Sequence, residues 1–547
     1  MLRRHLSRFT ILLAVAWPAA AAGDHTPLKI DGKPPVLFPE KGRHHHPIAT
    51  KNKEAQVWFD QGMTWYWGFN HVEAIRCFQQ AALLDPDAPM PHWGIAIALG
   101  PNYNRAIDPV DAARNTAAYK SSRQALALSE NAPACEQAYI KALIKRYSAD
   151  PKADGAKLEA TYAEAMRGVM QAFPDDLDAA TLYAEAVVNL RPWQLWDKGK
   201  PAEGTEEALR VLETVMERNP DHVGAIHYYI HAVEASPNPG RALAGARKLV
   251  ELVPWAGHLV HMPAHIFIHT GDHEEGARCN ELAARADEEF FRNSGVKEGV
   301  YRFMYYPHNL HFIATARAAQ GRFKEAKAGA DKLAAFCSPM LNEMPMLEGF
   351  TLIPLQTLLR FHRWDDVLQL PEPDAKRVVS KTLWHFARAT ALAAKGRLEE
   401  AAKDREAFEA LRKQFPAEAM WAFNPVEKVL AVASETLQAR LAKDPKERIG
   451  HWRKAVELED GLAYGEPADW YYPVRESLGA ALLRNGQAEE AEKVFREDLK
   501  SNRRNGRSLL GLCESLKAQK KETDAACVGQ EFERAWPKGT PLRLEDF

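Results

Sequence analysis

The sequence predicts an all-α protein, a helical solenoid built from repeated pairs of helices, and three observations support this class. A turn phrase recurs as GRFKEA (321–326), GRLEEA (396–401) and, in weaker form, GQAEEA (486–491). Small and large residues return at the same helical positions from residue 55 to about 538. Alternating patterns typical of strands are absent. We therefore expect nearly the whole chain beyond residue 54 to be an array of repeats.

The first 22 residues read as a signal for export. Three arginines precede the apolar run 9–19, which ends in alanines, and cleavage is expected near Ala22. The run is too short for a spanning helix, and no comparable apolar stretch follows it. We expect a signal peptide at 1–22 and an exported protein, periplasmic or secreted, with no membrane span after cleavage.

Charge and cysteine content exclude some classes of protein. Lys and Arg number 71 against 73 Asp and Glu, a net charge of −2, so the chain has no electrostatic footprint for nucleic acid. Six cysteines are too few for a disulfide framework. Cys513 and Cys527 are 14 residues apart, a separation at which the two helices of one hairpin can be bridged. No CxxCH motif exists to attach haem covalently.

Residues 23–54 are rich in Pro, Gly and His and are expected to form an extended arm. Its three consecutive histidines, His44, His45 and His46, read most simply as a solvated loop. A role as metal ligands is the alternative for them.

The first repeat has a distinctive set of residues at fixed spacing: Trp58, Gly62, Trp65, Ala74, Phe78, Ala81 and Pro86. A second copy near the other end of the chain comprises Leu478, Gly479, Leu482, Ala491 and Phe495. This pattern resembles the tetratricopeptide repeat (TPR), a 34-residue helix–turn–helix in which small residues let two helices approach and large ones fill the seam. The resemblance implies a right-handed superhelical solenoid of roughly eleven repeats.

The repeats divide into an N-terminal set at 55–176, a central set at 177–338 and a C-terminal set at 339–547. Two insertions interrupt the central set, one around 191–202 and one at 291–306, and both are rich in aromatic residues. Insertions in a solenoid emerge as loops on one face, often the binding face.

Histidine is concentrated in the central repeats, where residues 222–311 hold 10 of the 20 histidines. They occur in HYYIHAVE (227–234), HLVHMPAHIFIH (258–269) and PHNLH (307–311). The resemblance to the TPR implies that the first helix of each repeat lines a concave groove. The repeat register then directs these side chains into the groove: His227, His231, His258, His261, His265, His308, Glu185 and Glu234.

This arrangement predicts a transition-metal site. His227 with His231, and His261 with His265, form i,i+4 pairs on adjacent helices, and two such pairs can close on one ion. We expect His258 or His308 to complete or flank the set. Glu185 and Glu234 are candidates for an acid/base, a carboxylate ligand or a partner that fixes an imidazole tautomer. Imidazole ligands suit Zn, Cu, Fe or Ni, and the sequence does not choose among them.

Two other interpretations remain open at this stage. The same groove could bind a peptide or protein partner without catalysis, or the histidines could be incidental in a structural interaction protein. Whether a metal-bound form catalyses a reaction is also open. Neither His pair belongs to an HExxH motif, and GxSxG and GxxxxGK[ST] are absent. Pro263 should kink or unwind the helix that carries His258 and His261.

Overall fold

The computed structural model describes residues 34–39, 42–105, 111–150 and 152–547. The predicted signal peptide at 1–22 lies outside the described residues. The chain forms two compact units. The N-terminal unit contains the described residues from 34 to 270 together with Glu275–Asn309, and the C-terminal unit contains Gly271–Glu274 and Leu310–Phe547.

Helices account for nearly all regular structure in the described chain, which confirms the prediction of an all-α fold. The first thirteen are α1 Lys53–Trp67, α2 His71–Leu84, α3 Pro89–Leu99, α4 Ala112–Leu128, α5 Ala134–Leu143, α6 Gly155–Ala172, α7 Leu177–Val188, α8 Thr205–Arg218, α9 Val223–Val233, α10 Leu243–Leu252, α11 Gly257–His261, α12 Pro263–Thr270 and α13 His273–Ser294.

The remaining helices continue the same alternation of helix and short turn. They are α14 Tyr306–Ala319, α15 Phe323–Cys337, α16 Glu348–Thr351, α17 Ile353–Arg360, α18 Trp364–Gln369, α19 Val378–Ala394, α20 Leu398–Arg412, α21 Val426–Leu441, α22 Pro445–Asp460, α23 Val474–Arg484, α24 Ala488–Ser501, α25 Gly506–Ala518 and α26 Glu522–Ala535. Single helical turns of other types lie at Pro239–Ala242, Tyr301–Tyr305, Ser338–Met340, Pro345–Leu347 and Leu544–Asp546.

The hairpins pack as the repeat pattern predicts. A Cβ atom on Gly62 of α1 would lie 2.5 Å from the ring of Phe78 on α2. The equivalent pair in the other copy is Gly479 and Phe495, where the distance would be 2.6 Å. Both phenylalanines are fully buried. A small residue on one helix is therefore what lets a large ring of the next helix fill the seam.

Short strands are a departure from the sequence prediction. β1 (Trp196–Asp197) pairs antiparallel with β2 (Lys200–Pro201) inside the first insertion. β3 (Met420–Trp421) pairs with β4 (Asn424–Pro425) before α21. Each strand has two residues, too few to give the alternating pattern by which strands are recognised in a sequence.

The two C-terminal cysteines are not bridged in the structure. Cys513 is buried on α25, and its thiol lies 3.3 Å from the carbonyl oxygen of Ala525, whereas Cys527 is exposed on α26. Among the described residues, no helix combines the length and the apolar character needed to cross a membrane.

Pro263 breaks the helix of the central histidines. α11 ends at His261 and α12 begins at Pro263, with Met262 between them. Proline has no N–H to donate to the preceding turn, so the backbone hydrogen bonding of a continuous helix cannot form there. The predicted interruption is confirmed, and it allows His258 and His261 to be oriented independently of His265.

Candidate metal centre

Six imidazoles of the N-terminal unit form one cluster, which we call the histidine cluster. It divides into two groups of three histidines, and within each group the candidate ligand atoms all lie within 4.8 Å of one another. The first triad is His227, His231 and His258, and the second triad is His261, His265 and His308. The sequence predicted one ion held by the pairs 227/231 and 261/265. The structure gives each pair a third histidine, so the candidate ligands form two groups of three instead of a single set of four.

The first triad is assembled by α9 and α11. His227 and His231 lie one turn apart on α9 with ring centroids 4.9 Å apart, and the centroid of His258 lies 5.0 Å from that of His227. α9 approaches α1 closely because Gly224 has no side chain: a Cβ there would lie 2.5 Å from the Trp67 ring. This approach brings Nδ1 of His227 to 2.5 Å from the Trp67 carbonyl oxygen.

The second triad is assembled by α11, α12 and α14. The ring centroid of His261 lies 4.8 Å from that of His265 and 4.8 Å from that of His308. The Nε2 atoms of His261 and His265 are 2.8 Å apart. Rings of different triads are no farther apart than rings within one: centroids are separated by 5.7 Å for His258 and His261 and by 6.0 Å for His231 and His265, against 6.5 Å for His231 and His258 within the first triad. Two ions in the triads would therefore be neighbours.

Hydrogen bonds at Nδ1 fix the tautomers of three rings. Nδ1 of His227 faces a carbonyl oxygen, which can only accept, so this nitrogen carries the proton. Nδ1 of His261 lies 2.6 Å from Oδ1 of Asn280, whose amide nitrogen donates to the carbonyl of Gly276. Nδ1 of His231 lies 3.2 Å from a carboxylate oxygen of Glu234. In the neutral rings of His227 and His231, Nε2 then has a lone pair and no hydrogen-bond partner.

Glu234 connects the two triads. Its Oε1 accepts from Nδ1 of His231, and its Oε2 lies 3.0 Å from Nδ1 of His265. The carboxyl group is buried with the rings and faces their Nδ1 sides. Through its hydrogen bond to His231, Glu234 occupies the position of a partner that orients a ligand of the first triad, one of the three roles that the sequence left open for it, and its other oxygen is an ion-pair neighbour of His265 in the second triad.

Unsatisfied nitrogens mark the interior of the first triad. Nε2 of His227, Nε2 of His231 and both ring nitrogens of His258 are buried without a hydrogen-bond partner. Burial, followed by the neighbouring His231, holds the pKa of His227 well below its usual value, and burial together with His227 does the same for the pKa of His258. Buried polar atoms without partners are costly in native proteins, and a bound ion would satisfy one nitrogen of each of the three rings.

Aromatic rings cover the cluster, and sequence reasoning did not identify the most central of them. Phe69 adopts a positive φ of 55°, uncommon for a bulky residue. This conformation lays its ring against three histidines, with centroid separations of 4.4, 5.7 and 5.2 Å to His227, His231 and His258. In the sequence, the only signal for this contact was the glycine followed by an aromatic residue, Gly68-Phe69, in the turn after α1.

Both insertions contribute further cover. Tyr305, from the second insertion, lies edge-on to His258 with centroids 4.5 Å apart. The ring centroid of Trp193, from the first insertion, lies 6.3 Å from that of His231, and Tyr103 contacts both rings, with centroids 4.5 Å from His231 and 5.4 Å from Trp193. The insertions therefore close over the histidines.

Burial changes the predicted character of the site. The side chains of His227, His231, His258, His261 and His265 are between 0 and 2% exposed, and only His308 is partly exposed. The sequence predicted an open concave groove. The structure encloses these rings because insertions and the turn after α1 pack on them, so they do not form an open surface for an extended peptide.

Glu185 does not join the histidine cluster. Its Oε1 accepts from the hydroxyl of Tyr66 at 2.6 Å and from the amide of Asn189 at 3.2 Å, and it belongs to neither triad. Burial raises its pKa to about 7. The repeat register predicted the helix face on which Glu185 lies, but it could not predict which residues of other helices would contact it.

A second network supports the cluster from outside. Asp287 accepts from the hydroxyl of Tyr301 at 2.9 Å and from the amide of Asn309 at 2.8 Å, and the same hydroxyl accepts from the backbone N–H of His258. Burial raises the pKa of Asp287 to about 8, which favours its neutral form at neutral pH. Asn309 follows His308 directly, so this network anchors one ligand from each triad.

The histidines of the N-terminal arm form a separate cluster around Asp178. His44 Nε2 lies 2.8 Å, His46 Nδ1 2.6 Å and His222 Nε2 3.1 Å from its carboxylate oxygens. His44 and His46 are thus packed rather than solvated, and only His45 has an exposed side chain, at 67%. Burial alone would raise the pKa of Asp178, but the three imidazoles hold it well below its ordinary value.

The tautomer of His222 argues against a metal in this arm cluster. Its Nδ1 accepts from the backbone N–H of Ala225 at the start of α9, so the proton of the neutral ring is on Nε2. That nitrogen faces Asp178 and has no lone pair for an ion. The arm cluster is therefore a set of hydrogen bonds to Asp178 that fastens residues 44–46 to α7 and to the start of α9.

Comparison with known proteins gives a likeness of fold. No protein-family model matches the chain, and no curated protein matches it. Human IFIT1, solved as a dimer with m7Gppp-AAAA, is 13% identical, with a TM-score of 0.33 over 87% of this chain and 96% of that one. Yeast Tom70 is 11% identical, with a TM-score of 0.28 over 88% and 93%. The TPR domain of P58(IPK) is 12% identical, with a TM-score of 0.21 over 85% and 98%.

These similarities concern the arrangement of helical hairpins alone. The hairpins themselves, with a glycine against a phenylalanine in both copies of the motif, make this a TPR-type repeat protein. What distinguishes the chain within that class is the buried histidine cluster in its N-terminal unit.

Proposed function

We propose that the protein binds two transition-metal ions in the histidine cluster, one in each triad. The observation that supports this most strongly is the grouping of six imidazoles, five of them buried, into two sets of three, within each of which the candidate ligand atoms lie within 4.8 Å of one another. Metal–nitrogen bonds of about 2.0–2.1 Å separate two ligand atoms by at most about 4.2 Å, so small ring rotations would suffice.

The environment of the rings supports binding through Nε2. His227, His231 and His261 each direct an Nδ1 proton to a fixed acceptor, and their Nε2 atoms face the interior of the cluster. Such outer hydrogen bonds are the usual accompaniment of metal-bound imidazole, because they set the tautomer and hold the ring. Depressed pKa values keep His227 and His258 neutral, as ligation requires.

The experiment is a stoichiometry measurement on the full chain. The protein is stripped with a chelator, loaded separately with zinc and with cuprous copper, freed of excess metal and analysed for metal content. The expected result is two ions per chain for at least one metal. His227→Ala and His308→Ala, which each remove one ligand from a different triad, should each lower the content to about one.

His269→Ala is the matched control, because His269 lies one turn beyond His265 on α12 and belongs to neither triad. It should retain both ions. No bound metal in folded wild-type protein would refute the proposal. A single ion lost equally in His227→Ala and His308→Ala would replace it with one shared site.

We also propose that the protein acts after export, which rests on the N-terminal signal pattern. N-terminal sequencing of the protein recovered from a membrane-enclosed or extracellular fraction should show cleavage near Ala22. An intact N-terminus on cytosolic protein would contradict it.

A further inference from the structure

We infer that the two ions are a pair of cuprous ions that binds dioxygen between them. This inference rests on the proposed function and adds the metal and the small-molecule ligand. It follows from three features of the histidine cluster: the chemical type of its ligands, the charge that its surroundings can tolerate, and the size of molecule that can reach it.

The ligand type favours copper. All six candidate ligands of the triads are imidazoles. Imidazole suits copper, zinc and iron, and copper has the highest affinity of the divalent first-row series for such sites. A structural zinc ion is almost always bound by four protein ligands, so neither triad matches that kind of site, whereas three imidazoles can hold a catalytic zinc ion and imidazole also suits copper. Each triad offers three imidazoles and has Glu234 on the Nδ1 side of its rings, away from the proposed ion positions.

The charge of the surroundings favours the cuprous state. Glu234 is a carboxylate of the N-terminal unit that faces one ring of each triad, His231 and His265. Two divalent ions would bring four positive charges into a buried cluster, and two cuprous ions bring two. Because uncompensated charge is costly to bury, the lower total charge of two cuprous ions is favoured.

Dioxygen is neutral and can bind between two cuprous ions without changing this total charge. Each cuprous ion gives one electron to the bound molecule, so both become cupric. The oxygen–oxygen double bond becomes the single bond of a peroxide that bridges them. Two positive charges are gained by the metals and two negative charges by the peroxide. No proton, external reductant or further oxidant is needed for this step.

The enclosure fits a ligand of this size. Five of the six rings are at most 2% exposed, and Phe69, Tyr103 and Tyr305 pack over the first triad. His308 is the partly exposed member, so the edge of the second triad is where a small molecule can enter. The adjoining rings of the two triads, with centroids 5.7 and 6.0 Å apart, leave a diatomic ligand within reach of both ions.

The test uses the full chain loaded with cuprous copper under anaerobic conditions, with copper content measured before oxygen is admitted. Stopped-flow absorption and an oxygen electrode then follow the reaction. We expect one dioxygen consumed per two copper ions, a near-ultraviolet peroxide-to-copper charge-transfer band, and a product silent in electron paramagnetic resonance because the two cupric spins couple.

Two variants separate the pair from a single reactive copper. His308→Ala should retain one copper and lose the band by at least tenfold, and His269→Ala should behave like the wild type. Two bound copper ions with no dioxygen uptake would overturn this inference while leaving two-ion binding intact. A chain that accepts zinc but no copper would also overturn it. A chain that binds neither metal would overturn the proposed function as well.

Discussion

The Nε2 atoms of His261 and His265 lie 2.8 Å apart, on the two sides of the helix break at Met262. Because Asn280 accepts the Nδ1 proton of His261, Nε2 of that ring carries a lone pair. Without an ion, the contact is made only when His265 directs a proton on Nε2 toward it. A bound ion would satisfy the Nε2 lone pairs of both rings at once. Metal binding should therefore be most sensitive to the tautomers of these two histidines.

Removing the acceptor that fixes this tautomer should weaken metal binding. Asn280→Ala leaves Nδ1 of His261 without its partner, so either nitrogen can carry the proton. Loss of such an outer hydrogen bond typically costs about 10–100-fold in metal affinity. A competition titration against a chromophoric chelator measures the change. Asn485→Ala, at an exposed position in the C-terminal unit, is the control and should bind as the wild type does.

Glu234→Gln tests the carboxylate that faces both triads. The variant keeps the shape of the side chain but removes the charge near Nδ1 of His231 and His265. We expect the affinity for both ions to fall by about 10–100-fold. The same titration reports this, with the exposed Glu251→Gln as its control. Weakening of only one of the two ions would show that Glu234 serves a single triad.

Gly479→Ala tests the repeat packing that both copies of the motif share. A Cβ there would lie 2.6 Å from the Phe495 ring, so the seam between α23 and α24 must open. We expect the free energy of unfolding to fall by about 1–3 kcal/mol.

Gly450→Ala should have the opposite sign. Gly450 lies inside α22, where an added Cβ meets nothing within 4 Å. Alanine there should stabilise the helix by about 0.5–1 kcal/mol, because glycine loses more conformational freedom on folding. Urea unfolding of both variants gives the comparison. Equal effects of the two substitutions would contradict the packing account.

Acid should release the arm cluster around Asp178. Its pKa is held well below the ordinary value of 3.8, so its ion pairs stabilise the fold fully above that pH. This stability is lost as the pH falls from 3.8 through the folded-state pKa. Asp178→Asn should therefore lower the thermal midpoint at neutral pH and flatten its decline in acid.

The measurement for this prediction is the thermal midpoint as a function of pH. Asp175→Asn is the control, because the side chain of Asp175 is 98% exposed. It should change neither the midpoint nor its slope. An unchanged acid decline in Asp178→Asn would mean that the arm is fastened by packing, such as that of Phe38 against Trp65 and Trp255, rather than by this carboxylate.

The sequence by itself determined the hairpin architecture and the helices that carry the histidines. Glycine against phenylalanine at fixed spacing identifies a seam between two helices, because only a residue without a side chain permits that approach. Spacing also determined that His227 and His231 share a face, since four residues is one helical turn. Pro263 determined the helix break, because it lacks the donor that the preceding turn requires.

Only the tertiary structure decided how the histidines are grouped. Sequence spacing fixes directions within a helix but not the rotation of one helix against the next, so it could not assign His258 to one triad and His308 to the other. It also could not predict that Phe69, with its positive φ, would cover three rings, or that Glu185 would lie apart. These depend on contacts between residues far apart in the chain, and those contacts enclosed a site that the repeat pattern predicted to be an open groove.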